Sequence, residues 1–312
     1  MNYFRLFFVH VQRYVISLKY QKVIPFILKY EIIIILLHRI VCCMMTKKNV
    51  AISITIMGLL FVLTYILLYN RWKHLWALEK PRPVYTIKHQ IDDTIRVVMI
   101  GDSWAGMHHE GGLDTMLFHQ LRVLINSPLK VVSSGKGGEK SRGIYRLMFD
   151  DGQFGTRPLL SESPDYCIVI AGINDAAANM GAKQYCYHYR LILDFLLRNH
   201  IRPVVIEIPN VNIGYIYRRK PIKDLFADYL KSKMVGCNLY DYNDYREALL
   251  KMLGDCRLKS RIVFVPMKDW NGDGGSINGK LFLEDQIHLN RDGYELLDSC
   301  IAAAIANDYN NR

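Results

Sequence analysis

The chain has 312 residues, 51% of them hydrophobic and 22% charged, with a formal net charge of +11. Twelve Lys and Arg residues fall within residues 1–82 against only Glu31 and Glu79, while residues 83–312 carry 28 basic and 27 acidic side chains. The basicity belongs to one end, which excludes a nucleic-acid surface spread over the folded part. The seven cysteines form no Cys-x-x-Cys pair, so a zinc or thiol-redox motif is excluded as well; Cys237 and Cys256 could bridge in an exported domain, but spacing alone does not establish it.

Residues 50–69 are twenty uncharged, mostly apolar residues, enough to cross a hydrocarbon core of ~30 Å as a helix. Lys47 and Lys48 precede them, and Arg71, Trp72, Lys73 and Trp76 follow as expected interfacial anchors. No small-residue cleavage site follows, so the segment is expected to be an uncleaved signal anchor. The larger basic total upstream favours an N-terminus-in topology, with the remainder extracytoplasmic, on the periplasmic side of a bacterial inner membrane. Residues 1–49 form a basic and apolar N-terminal segment whose most apolar run, 32–37, reaches bilayer length only by taking in Lys29, Glu31, His38 and Arg39; a second span on those terms and a basic surface helix are the two readings. Met44 or Met45 is the expected biological start, because the following residues already make a complete anchor. Residues 70–93, containing Pro81-Arg82-Pro83, are expected to be a juxtamembrane linker, and residues 94–312 the folded domain.

Within that domain, short apolar runs alternate with helical patterns. Strands are expected at 95–100, 129–132, 166–171, 204–208 and 262–265. Helices are expected at 113–125, 141–149, 182–199, 222–234, 244–253 and 291–306, the last capped by Asn290. The alternation predicts an α/β fold, a parallel sheet of about five strands covered on both faces. Ligands of such sheets bind beyond the carboxyl ends of the strands.

Ser103, Gly138 and Asn174 each come just after a predicted strand, and Asp285-Gln286-Ile287-His288 lies between the last strand and the last helix. All are therefore expected at one edge of the sheet. A serine hydroxyl is a weak nucleophile until a base takes its proton; His288 can do so, and Asp285 can hold the imidazole in the useful tautomer. The backbone N–H groups of Ser103 and Gly138 and the side-chain amide of Asn174 could stabilise the oxyanion that develops on the attacked carbonyl. Asp102 and Asp175 are expected to fix their loops through side-chain to backbone hydrogen bonds. His108 and His109 are expected in a solvated loop. The Gly135–Ser141 stretch lacks the glycine that a phosphate loop needs before its Lys-Ser pair, and the turn opening at Asp269 has Lys280 where a calcium loop has its bidentate Glu.

These four blocks resemble those of the SGNH/GDSL hydrolases: Gly101-Asp102-Ser103, the run Ser133-Ser134-Gly135-Lys136-Gly137-Gly138, Gly172-Ile173-Asn174-Asp175, and Asp285-x-x-His288. The resemblance covers roughly residues 94–307 and implies a membrane-anchored bacterial serine esterase or lipase with a flavodoxin-like αβα sandwich. It implies Ser103, Asp285 and His288 as the triad, Ser103, Gly138 and Asn174 as the oxyanion hole, and no cofactor or metal. Trp104 stands where the family has Leu, and Ser133 where it has Asn. Trp104 and Trp270 are candidates for stacking on a sugar ring. The implied substrate is an ester, a small acyl group such as O-acetyl on a polysaccharide of the envelope or beyond it. A lipid ester, transfer of the acyl group to another hydroxyl, and a non-catalytic binding module are the alternatives.

Overall fold

Strands buried on both faces of a sheet need continuous apolar runs, and Ile95–Gly101 (β1, IRVVMIG) and Tyr166–Ile170 (β3, YCIVI) are such runs, every residue but Arg96 being buried. The computed structural model describes residues 47–88, 90, 92–239, 241–267, 270 and 279–312. The expectations for residues 1–46, including the start at Met44 or Met45, and most of the turn opening at Asp269 lie outside the described residues. The chain divides into two compact units between Arg71 and Trp72.

Helix α1 (Lys47–Trp72), which lies in the first unit but for its last residue, holds the stretch Ile52–Trp72, of mean hydropathy 2.3. It is the one helix among the described residues long and apolar enough to cross a membrane. Its apolar side chains, Ile54, Leu59, Phe61 and Leu67 among them, are exposed all round, as a span requires and a core helix forbids.

The second unit runs in the order β1, α2 (Ser103–Glu110), α3 (Asp114–Leu124), β2 (Leu129–Gly135), α4 (Ser141–Leu147), α5 (Arg157–Ser161), β3, α6 (Ile173–Ala177), α7 (Ala182–Arg198), β4 (Arg202–Ile206), α8 (Ile213–Arg218), α9 (Ile222–Val235), α10 (Asn243–Leu253), α11 (Cys256–Lys259), β5 (Val263–Val265) and α12 (Arg291–Asn310). The strands form one parallel sheet in the order β2-β1-β3-β4-β5, which is the flavodoxin-like order. Helices α3 and α12 pack together over one part of it, and α4, α7 and α10 pack together elsewhere. Helix α7 buries Tyr185, Tyr189, Ile192 and Leu196 along one face, and the hydroxyls of Tyr185 and Tyr189 donate to the carbonyls of Ala171 and Val169 at 3.3 and 3.2 Å. Asn290 caps α12 by accepting from the Gly293 N–H at 3.0 Å.

The sequence between α1 and β1, where a juxtamembrane linker is expected, is hydrogen-bonded to the rest of the second unit along its length. Trp76 Nε1 donates to the Asn179 carbonyl at 3.1 Å, the Arg82 N–H to the Tyr145 hydroxyl at 2.8 Å, and the Ile87 N–H to Asn199 Oδ1 at 3.2 Å. The Glu79 N–H donates to Nε2 of the buried His188 at 3.0 Å, and Arg146 pairs with the Glu79 carboxylate at 2.6 Å. Burial pushes His188 down to about 4, so its imidazole is neutral and able to accept. The segment is a strap fastened over α4 and α7. Trp72 and Trp76, expected at a lipid interface, are instead buried in protein.

The sheet meets α2 at Gly135, where an added Cβ would stand 2.4 Å from the Asp102 carbonyl oxygen and 2.5 Å from the Gly106 nitrogen. Both are backbone atoms and neither can swing aside. Gly135→Ala is expected to destabilise the protein by about 3 kcal/mol, the upper end for overpacking. This corresponds to a melting temperature lower by roughly 6–12 °C for a unit of this size; a change within ~2 °C would show that α2 can shift.

Candidate active site

The three central strands end in register: Gly101 pairs with Gly135 on one side and with Ile170 on the other. The chain leaving each strand therefore emerges at the same edge, carrying Ser103 from β1, the Gly135–Gly138 turn from β2 and Asn174 from β3.

Asp102 caps α2, its Oδ1 accepting from the Trp104 N–H at 3.0 Å. Ser103 is the first residue of that helix, so its own N–H has no intrahelical acceptor and sits at the positive end of the helix dipole. The Ser103 hydroxyl oxygen lies 3.0 Å from His288 Nε2, and His288 Nδ1 lies 2.6 Å from Asp285 Oδ2. The other oxygen of Asp285 accepts from the backbone N–H groups of Ile287 and His288, both at 2.9 Å. Partial burial would raise the Asp285 carboxyl, but the bonds from the His288 ring and these two N–H groups outweigh it and hold the group below the usual range. Between them Gln286 takes a left-handed conformation with φ of 61°, a strained geometry for a residue with a side chain. A Phe282–Leu289 bridge and a 2.7 Å bond from the Leu283 N–H to the His288 carbonyl close the loop that carries the pair.

Asn174 Nδ2 donates to Asp102 Oδ2 at 3.2 Å. That bond uses one amide hydrogen and leaves the second for another acceptor. Asp102 is 1% exposed; burial drives its carboxyl up to about 7, against the pull of the Trp104 N–H, with the nearby charge of Asp175 adding to the rise. Asp175, also buried, accepts from the Ser141 N–H at 2.9 Å and the Ser141 hydroxyl at 2.6 Å, tying the third block to the start of α4. Both aspartates thus make the loop-fixing bonds expected of them. Gly138 has φ of +73° with open space where a side chain would begin, so backbone conformation is what requires glycine there. A Cβ on the neighbouring Gly137 would be 4.0 Å from Ser103 Cβ, so the turn passes close to the serine.

Trp104 differs from expectation. Trp104 is 1% exposed, its indole N–H donating to the Ile287 carbonyl at 3.1 Å, so its ring offers no face to a sugar and instead braces the loop bearing His288. Trp270 packs edge-on against Trp104 and against Phe282. His108 is not in a solvated loop either. It lies on α2, fully buried, with Nδ1 3.1 Å from Asp114 and Nε2 3.1 Å from Asp298, and Ser133 bonds to both His108 and Asp114. Burial alone would lower this imidazole, but the bonds to Asp114 and Asp298 outweigh it and raise it to about 9. The Tyr294 hydroxyl, one turn before Asp298, donates to the Trp104 carbonyl at 3.0 Å. Ser133, at the position where an Asn was expected, belongs to this cluster.

The profile of the GDSL-like lipase/acylhydrolase family matches residues 99–296, well over half of the chain. The chain belongs to that family. It is accordingly an ester-hydrolysing enzyme. No curated protein matches it in sequence. Among solved structures, the lipase/acylhydrolase from Enterococcus faecalis superposes with a TM-score of 0.51 at 13% identity, covering 69% of this chain and 96% of that one. A GDSL-like lipase from Bacteroides thetaiotaomicron gives 0.46 at 16% identity, covering 68% and 88%. An acetyl xylan esterase gives 0.47 at 20%, covering 69% and 99%. The first of these likenesses shows the fold.

Two outcomes test the geometry. In Asp102→Asn the new amide nitrogen must face either the Trp104 N–H or the Asn174 amide, both donors. Turnover of a chromogenic ester by this GDSL enzyme is expected to fall by roughly 10–10² with little change in KM, short of the loss of a whole oxyanion donor. An unchanged turnover would remove Asp102 from the site. The raised His108 adds stability that is complete below the unfolded imidazole range near ~6.5 and disappears as pH rises through about 9. The urea midpoint is expected to fall between pH ~7 and ~10, and to fall less in His108→Gln; equal slopes would count against the assignment.

Proposed function

We propose that this enzyme is a serine esterase working through an acyl-Ser103 intermediate. The observation that carries the reading is the position of His288, within hydrogen-bond reach of the Ser103 hydroxyl on one nitrogen and of Asp285 on the other. With a proton on Nδ1 given to Asp285, Nε2 accepts the hydroxyl proton as Ser103 Oγ bonds to the ester carbonyl carbon. The carbonyl oxygen becomes an oxyanion, to which the Ser103 N–H, the Gly138 N–H and the remaining Asn174 amide hydrogen donate. The carbon–oxygen bond to the alcohol then breaks, and the alkoxide takes the proton from Nε2. Water, deprotonated by the same nitrogen, attacks the acyl-serine, and the acid leaves as Ser103 recovers its proton.

The substrate proposed is a short acyl ester, O-acetyl above all, on a glycan of the envelope or outside it. The side chains of His288 and Asp285 are 31% and 45% exposed, an open setting that suits a small acyl group on a bulky polar alcohol better than a long chain needing an apolar trench. We also propose that α1 is an uncleaved signal anchor with the catalytic unit on the extracytoplasmic side, as its length, apolarity and basic upstream flank support.

A fluorophosphonate probe is expected to label the full chain at Ser103, and labelling is expected to vanish in Ser103→Ala and to fall by at least ~10³ in rate in His288→Ala. Labelling that persists in Ser103→Ala would overturn the assignment. Hydrolysis of acetyl over dodecanoyl esters of one alcohol tests the acyl length; a preference for the long chain would favour a lipid substrate.

A further inference from the structure

Most exposed apolar residues of the catalytic unit lie scattered, as on any soluble surface, but three share one face of one helix. On α9, Ile222, Phe226 and Tyr229 are 49%, 62% and 45% exposed, and their spacing of four and three residues stacks them in a line. Lys233 continues the line and Lys223 flanks it, both exposed. The buried residues of the helix, Asp228 and Ser232, lie about a quarter-turn round from the stripe.

The charge around this stripe differs from that of its surroundings. Residues 215–235 contain six Lys and Arg against Asp224 and Asp228, a net +4, whereas residues 83–312 as a whole carry only +1. The rest of the unit is therefore net acidic, and positive charge is gathered here. Asp228 is buried and pairs with Lys220 and Lys231 at 2.7 and 3.0 Å, and among the exposed charges of this stretch Arg218, Arg219, Lys223 and Lys233 outnumber Asp224. An apolar line with an aromatic at each of two turns, flanked by lysines, is the pattern of a helix lying in a membrane interface.

The location within the unit agrees. The Lys231 ammonium lies 5.5 Å from the centroid of the Trp72 ring, and Trp72 is the residue with which the apolar stretch Ile52–Trp72 ends. Helix α9 thus packs against the residue that opens this unit and closes the apolar stretch.

We propose that the exposed face of α9 rests on an anionic bilayer surface, with Ile222, Phe226 and Tyr229 among the lipid headgroups and the neighbouring lysines against lipid phosphates. The proposal rests on the reading of α1 as a membrane span. Its effect is to seat the catalytic unit on the membrane by a second contact, independent of the anchor.

The test uses the full chain, reconstituted in phosphatidylcholine vesicles with or without phosphatidylglycerol. The photoreactive p-benzoylphenylalanine replaces Phe226, or, as a comparison, Val123 on α3, which is 84% exposed. Retention in the vesicles after an alkaline carbonate wash reports the span separately. The expected result is a retained chain that forms lipid adducts at 226 and not at 123, with more adduct when phosphatidylglycerol is present. Lys223→Glu with Lys233→Glu is expected to lower that adduct roughly tenfold, as reversal of two surface charges should. A retained chain with no lipid adduct at 226, equal adducts at both positions, or an adduct to protein overturns the docking and leaves the span standing. Release by the wash overturns the span and the docking with it.

Discussion

The site depends on three strands that stop at the same height. Because Gly101, Gly135 and Ile170 are paired neighbours, the serine, the glycine turn and the asparagine need no long excursion to meet. A slip of one residue in β2 would turn its side chains to the opposite face and carry the Gly135–Gly138 turn away from Ser103. The close approach of Gly135 to Asp102 and Gly106 guards against such a slip, since only glycine tolerates backbone at that distance. The same contact presses α2 onto the sheet and so determines where the Ser103 hydroxyl points.

The fourth block arrives from far away in sequence, and a different interaction holds it. The Asp285–His288 loop leads directly into α12, and α12 is bound to α2 by the buried His108–Asp298 pair and by the Tyr294 hydroxyl on the Trp104 carbonyl. Trp104 in turn reaches the Ile287 carbonyl. The nucleophile's helix and the base's loop are therefore joined by three separate contacts. A buried ion pair adds little net stability, but losing one partner leaves an uncompensated charge, so such a pair specifies one arrangement strongly.

Much of this was legible in the sequence. The apolar runs of β1 and β3 and the helical spacing of α7 identify the sheet and its cover, and the order of the Ser, Gly, Asn and His blocks points to their chemistry. Boundaries are less well marked: β2 runs on through Ser133 and Ser134 to Gly135, because pairing with β1 satisfies a polar backbone that composition would assign to a loop. His108, Trp104 and the strap show what a linear reading misses. Polarity marks a histidine as solvated, bulk marks a tryptophan as a stacking surface, and prolines mark a linker, yet each has at least one partner more than sixty residues distant. One signal was present for His108: it lies on the same side as Ala105 and Trp104 in a helix opening beside the nucleophile. A histidine there needs a counter-charge, and Asp298 is an unusual residue for the otherwise apolar face of α12.

The strap has a consequence for the order in which the molecule is made. Its partners at Tyr145, Asn179, His188 and Asn199 lie 63, 103, 109 and 112 residues further along. Emerging from the ribosome, residues 72–88 have nothing to bind until α4 and α7 have been synthesised, and loops of that length close slowly. The first part of the unit to appear is thus among the last to be secured, and until then Trp76 and Tyr85 remain open to a chaperone.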